Sequence, residues 1–230
     1  MSEQLQDRVA LVTGGGKGIG AAISRALAAM GAKVHVNYRS DSAAAEKVAK
    51  EIGGIAVQCD VSDGAAVEAM IKSIGRVDIL VNNAGAVRDK LLLRMTEVDW
   101  NDIIATDLTA AFHTTKATLA GGMLRNRWGR IVNMSSVVGI TGNPGQANYA
   151  AAKAGLSGFT KAIAKEVGSR RLTVNAVAPG YARTARTGNP LTQQIVPDLV
   201  NFTHTPPRGH RHAVSLPHAH TSCTSHACPP

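Results

Sequence analysis

The chain has 230 residues, 44% of them hydrophobic and 18% charged, enough for one sizeable core, and a single domain is the expectation. Its net charge of +9 comes without a lysine or arginine tract and with only 3% aromatic residues, which argues against nucleic acid and for an anionic small molecule or acidic partner. No apolar run approaches the ~20 residues that cross a bilayer. The opening MSEQLQDRVALV is too polar for a secretory signal, so the cytoplasm is the expected compartment. Three cysteines, Cys59, Cys223 and Cys228, argue against a disulfide framework, and Cys59 is expected in the core.

From Arg8 to about Ala178, short β-branched runs alternate with stretches of helical period. RVALVT is followed by the helical IGAAISRALAAM, KVHVNY by SAAAEKVAKEI, and then come IAVQC and VDILVN. A long helix is expected over roughly Glu97 to Leu124, then the strand RIVNMS, a second long helix from Ala147 to Gly168, and the strand LTVNAVA. This rhythm predicts an α/β fold, a Rossmann-type doubly wound parallel sheet with helices on both faces. The rhythm weakens after Thr184 and is gone after Asn201, so a dinucleotide-binding domain over 1–200 and a low-complexity, disordered tail over 201–230 are expected. HRH, HAH and CTSHAC in that tail contain zinc-ligand residue types, but no scaffold to fix a tetrahedral site is visible, and no metal site is expected.

TGGGKGIG, Thr13 to Gly20, directly follows the first strand and opens the first helix. Glycines there permit a tight turn and close backbone approach, so that helix N-terminal amides can hold a pyrophosphate. Thr13, Gly14, Lys17, Gly18, Ile19 and Gly20 are the candidate contacts. Arg39 follows the second strand, where an acid would favour the cofactor without an extra phosphate; with Lys17 it makes a pair of cations suited to the 2′-phosphate of NADPH. Tyr149 and Lys153, four residues apart in YAAAK, share a helix face. The ammonium lies near the phenol and eases its proton loss, so the tyrosine can give a proton to a carbonyl oxygen as hydride arrives at carbon. A serine pair, Ser135 and Ser136, lies thirteen to fourteen residues upstream at the end of the fifth strand.

The glycine spacing, CDVSD at 59–63, NNAG at 82–85 and the Ser-Tyr-Lys set, in this order, resemble the short-chain dehydrogenase/reductase family. VDILVNNAGAVRDKLLLRM, GRIVNMSSVVG, GQANYAAAKAGLSGFTKAIAKEV and TVNAVAPG are most similar to its 3-oxoacyl-[acyl-carrier-protein] reductases, and the likeness covers residues 6 to about 184. The resemblance implies that Ser136 polarises the substrate carbonyl, with Ser135 a turn hydroxyl. It implies that Asp60 and Val61 meet the adenine, that Asn83, Ala84 and Gly85 close the fourth strand against the cofactor, and that Lys153 also meets the nicotinamide ribose. Pro179, Gly180 and Thr184 in PGYART match contacts to the carboxamide, although an ordinary strand-exit turn explains Thr184 as well. Arg127 and Arg170 are similar to positions that meet the acidic carrier protein; exposed arginines at helix ends are an equal reading.

The implied activity is NADPH-dependent reduction of a 3-oxoacyl-carrier-protein thioester in fatty-acid biosynthesis. Acetoacetyl-CoA reduction and a non-catalytic nucleotide-binding protein are the alternatives. Pairing of the two long helices across a two-fold axis implies a homodimer, whereas the family's second, tetramer-forming interface is not expected. Two departures stand out. Asp107 occupies the place of an asparagine that completes a proton relay toward the active-site lysine. After VAPGYART the pattern stops, which implies a sheet without the family's last strand, an altered gene end, and impaired solubility and activity.

Overall fold

Successive side chains of β1 (Val9–Val12) face opposite sides of the sheet, and both sides are buried. Ala10 and Val12 pack with Ile23 and Leu27 of α1 (Gly18–Ala29) and with Ala45 and Val48 of α2 (Ser42–Glu51). Leu11 belongs to a second cluster with Leu80 of β4 (Ile79–Asn82) and with Val67 and Ile71 of α3 (Gly64–Ile74). These two apolar clusters are the two helical layers of a doubly wound fold, seen in a computed structural model that describes residues 5–180. The expected tail from 201 onward, and the sheet ending anticipated after Thr184, lie outside the described residues.

Among the described residues every strand pairing is parallel, and the order is β3-β2-β1-β4-β5-β6, with β2 at Lys33–Tyr38, β3 at Ile55–Gln58, β5 at Gly129–Met134 and β6 at Leu172–Val177. The chain first builds outward from β1 to β3, then crosses to β4 and builds the other way. The C-terminal ends of β1 and β4 therefore diverge into a crevice, the place where such sheets bind ligands. β3 is an edge and its Ile55 is 57% exposed, so its apolar run is less buried than the central ones.

The single long helix expected from Glu97 is instead a succession of pieces: α4 (Glu97–Ile104), a π turn (Ala105–Thr109), α5 (Ala110–Thr118), a second π turn (Leu119–Met123) and α6 (Leu124–Asn126). Gly122, at φ 135°, breaks the second π turn with a conformation other residues resist. A π turn adds one residue to a helical turn and leaves each flanking stretch its own helical period, so the whole still reads as one helix. Thr96 starts α4 with a reciprocal cap: Asp99 donates its amide to the Thr96 hydroxyl oxygen and accepts the Thr96 amide. After β5 come a short helix, α7 (Val138–Thr141), and α8 (Ala147–Val167), the second long helix, at the expected place.

A buried polar chain joins the central strands to the helices. Asn82 of β4 donates to Asn133 of β5 at 2.8 Å and to Thr115 of α5 at 3.2 Å, and accepts from Thr114 at 2.6 Å. Asn133 in turn donates to Thr160 of α8 at 2.8 Å. Each member satisfies its neighbour in a dry interior, where an unpaired polar group is costly. Asn82→Ala should therefore lower unfolding free energy in urea by about 1–3 kcal/mol, by leaving the Asn133 side-chain oxygen without its donor. A loss below about 0.5 kcal/mol would show that the network adds no net stability.

Candidate active site

The glycine-rich turn is built by its neighbours as much as by its own residues. Gly14 and Gly18 take positive φ of 61° and 51°. A side chain on Gly20 would collide with the Gly14 carbonyl and the Asn83 amide group. Thr13 is buried; its hydroxyl oxygen accepts the amides of Asn83 and Ala84, both at 2.9 Å, and its hydroxyl donates to Val81. The Asn83 side chain returns two bonds, to the carbonyls of Thr13 and Gly14. Thr13, Gly14, Gly20, Asn83 and Ala84 thus meet in one bonded corner, with Ile19 in the first turn of α1 above it. Sequence reading missed Asn37, which is buried in β2 and accepts the Gly14 amide at 3.3 Å while donating to the Cys59 carbonyl at 3.1 Å. Within KVHVNY it shares alternate positions with Lys33 and His35, so nothing in the strand pattern sets it apart.

A cleft of about 240 Å³ opens here, lined on one side by Gly14 and Lys17, on the other by Arg39, Asp60 and Val61, and at its base by Ala84 and Gly85. The start of α1 has no side-chain cap and no acid in its first turn, so its free amides are available to an anion. The two expected cations are both present, and both have carboxylate neighbours that sequence reading did not pair with them. Lys17 is ion-paired with Asp41, and Arg39 lies 4.0 Å from Asp60. Asp41 also caps α2 through the Ala44 amide, and Lys17 with that amide holds its carboxyl below the ordinary range. Asp60 accepts the amide and hydroxyl of Ser62, which shapes the turn after β3. Cys59 is buried beside the cleft as expected; burial pushes its thiol up to about 11, and it stays protonated.

Tyr149 and Lys153 share a face of α8, with the ammonium 5.4 Å from the centre of the phenol ring. Lys153 donates to the Met134 carbonyl at 3.0 Å, so the lysine reaches the same end of β5 that carries Ser136. The Ser136 oxygen accepts the Val138 amide, which leaves its proton for another acceptor. Ser135 is not a turn hydroxyl: it donates to the Lys153 carbonyl at 3.0 Å and sits beside Ser157, fastening β5 to α8. Pro179 approaches the same corner, its carbonyl accepting the Val137 amide, and Gly180 follows it; Thr184 lies outside the described residues.

The loop after β4 is pinned to the start of α8. Asn148 donates to the carbonyls of Arg88 and Asp99 and accepts the Tyr149 amide, Gln146 donates to both Asp89 oxygens, and Lys90 donates its amide to Gly145. Asp107 projects from the first π turn and lies 3.0 Å from the Lys153 ammonium, with the side chains 0% and 6% exposed. It also accepts the Ala86 amide at 2.8 Å. Burial raises the Asp107 carboxyl above the ordinary range, against the pull of Lys153. A phenol, a serine hydroxyl and an ammonium at one strand edge, beside an anion-ready cleft, form a set able to protonate a carbonyl oxygen.

Arg127 and Arg170 are brought close to each other but not to this site. They immediately precede β5 and β6, so they stand at the opposite edge of the parallel sheet, and Arg127 donates to Ser169.

A family model described as short chain dehydrogenase matches residues 8–194. A 3-oxoacyl-[acyl-carrier-protein] reductase of Synechocystis sp. is 53% identical over 194 residues, which covers 80% of this chain and 78% of that one. Proteins of the same name from Vibrio cholerae and Escherichia coli are 51% and 49% identical, covering 80% and 79% of this chain and 77% and 76% of theirs. With its six parallel strands, its glycine-rich turn at the switch in strand order and its Ser-Tyr-Lys edge, the chain belongs to the short chain dehydrogenase family and is an oxidoreductase working with a nicotinamide cofactor.

Proposed function

We propose that this protein reduces a 3-oxoacyl-[acyl-carrier-protein] thioester to the 3-hydroxyacyl product with NADPH, as a cytoplasmic step of fatty-acid biosynthesis. The observation that carries this reading is the Tyr149–Lys153 pair at the Ser136 end of β5, in a chain about half identical to reductases of that name. The uncapped start of α1 and the open cleft beside it suit a pyrophosphate, and Lys17 and Arg39 at the mouth suit a 2′-phosphate. Asp60 and Val61 border the adenine side, Gly14, Gly18, Ile19 and Gly20 the pyrophosphate, and Asn83, Ala84, Gly85, Pro179 and Gly180 the nicotinamide side.

The cofactor supplies a hydride to the carbonyl carbon of the substrate. Tyr149 gives its proton to the carbonyl oxygen, and the free Ser136 proton bonds that same oxygen and stabilises charge developing there. Lys153 holds the phenol side of the site positive and would meet the ribose of the bound cofactor. Arg127 and Arg170, at the far edge of the same chain, serve by steering an acidic carrier protein rather than by touching its thioester. Val98, Trp100 and Phe112 on α4 and α5 are exposed in the single chain, which supports dimer formation through this helical face.

Tyr149→Phe should cut NADPH oxidation with 3-oxoacyl-carrier-protein about 10²–10⁴-fold while leaving NADPH affinity unchanged. Near-parental turnover would remove Tyr149 as the acid, and a CoA thioester turned over faster than the carrier-protein thioester would remove the proposed substrate. Neutralising both Lys17 and Arg39 to Gln should weaken NADPH binding at least about tenfold, a loss of one modest charge-assisted contact, with NADH affinity little changed. Equal losses for both dinucleotides would place these cations on the shared pyrophosphate instead. Light scattering should give a mass twice that of the chain, and a monomer at micromolar concentration would exclude pairing of the two long helical stretches, Glu97–Asn126 and α8, across a two-fold axis.

A further inference from the structure

Lys153 has two inward partners, and its ammonium is drawn toward both. The Met134 carbonyl lies 3.0 Å away and the Asp107 carboxylate 3.0 Å, while the Tyr149 ring centre is 5.4 Å distant. Among the described residues the Tyr149 hydroxyl has no hydrogen bond to the lysine or to any other group, so the lysine's recorded bonds point into the protein. The contact with Asp107 is an ion pair: Oδ2 lies 3.0 Å from Nζ and has no other polar partner among the described residues.

The carboxylate itself has little room to move. Its Oδ1 is fixed by the Ala86 amide at 2.8 Å, and Oδ2 lies against the backbone of Gly85, so near that a Cβ there would be 2.8 Å away. It is also presented by a π turn, where the helix widens and turns a residue into the site. Lys153 from α8 is the one charged group acting on it. The neighbouring α4, α5 and the loop after β4 contribute the Ala86 amide and no further charge to its environment among the described residues. The mobile partner of this pair is therefore the lysine, on its four-carbon stem.

We propose that Asp107 is a positioning residue, a fixed buried anion that latches the Lys153 ammonium inward and so controls how far it reaches toward Tyr149 and a bound ribose. This rests on the assignment of Tyr149 and Lys153 as the reacting pair. When the carboxyl is ionised the lysine is held by Asp107 and Met134. When it is protonated the ion pair is gone and the ammonium is free to turn toward the phenol. Burial, which raises the Asp107 carboxyl, moves this exchange up from the ordinary carboxylate range.

The sign follows. Reduction is fastest with the latch open, so kcat/KM should fall as pH rises through the Asp107 ionisation, and Asp107→Asn should remove that limb and stay at the upper rate. The amide keeps the oxygen that accepts from Ala86, so a merely structural role predicts the same pH dependence in both proteins. A second measurement needs no activity: lysines labelled with ¹³C at Cε, with the Lys153 signal assigned through Lys153→Arg. In the wild-type protein that signal should show a step on the alkaline side of the ordinary aspartate value of about 3.9. The step should be absent from Asp107→Asn. If the Lys153 signal of the wild-type protein shows no step above that ordinary value, the latch is wrong, and this holds even if the variant does not fold. If the step is present but no 3-oxoacyl thioester is reduced, the latch stands and the proposed function fails.

Discussion

The hydroxyl of Thr13 holds together the two strands between which the sheet reverses its order. By accepting the amides of Asn83 and Ala84 and donating to Val81, it closes the end of β1 onto the end of β4. The main chain then diverges, into the glycine turn on one side and the NNAG loop on the other. Without this corner the glycines would be only a flexible βα connection. With it, and with Asn37 bracing the turn from β2, the start of α1 is aimed at a fixed point over the crevice. A site whose catalytic power depends on placement needs such support beneath it.

The same region carries an electrostatic cost. A carboxylate and an ammonium are both removed from water at the Asp107–Lys153 contact, and attraction between buried charges repays desolvation only when geometry and further hydrogen bonds are favourable. Here the Ala86 amide and the Met134 carbonyl supply one such bond to each partner. The raised Asp107 carboxyl shows that burial still outweighs this support. The charged pairs at the cleft mouth differ. Lys17 is 68% exposed and its partner Asp41 is nearly half exposed, so water screens them and their pairing is easily exchanged for a ligand phosphate. One family of contacts, buried and exposed, thus behaves in opposite ways according to its solvent.

Much of this was legible in the chain. The parallel, doubly wound sheet followed from β-branched runs separated by helical periods, because a sheet covered on both faces must be apolar on both. The two bounds of KVHVNY and the start of α8 at Ala147 agree with the structure because glycine, polar or aspartate residues mark those ends. Periodicity failed at the π turns, which leave the flanking pattern intact, and there the structure turned Asp107 inward. Ser135 and Ser136 are indistinguishable by spacing alone. Just past the end of β5, Ser135 donates to the Lys153 carbonyl, whereas Ser136 accepts the Val138 amide and keeps its proton free.

By itself, the sequence determined the residue types able to bind a dinucleotide and protonate a carbonyl, and the order in which the chain delivers them to one sheet edge. That much is local: glycine freedom, helix spacing and strand patterning act over a few residues. Only the tertiary structure decided which charges neutralise one another, Lys17 with Asp41 and Lys153 with Asp107, and that Arg127 and Arg170 stand at the opposite edge. Charge acts through space and its strength depends on burial, so residues 24 and 46 positions apart in the chain become partners only once packing has set their distance and removed or kept their water.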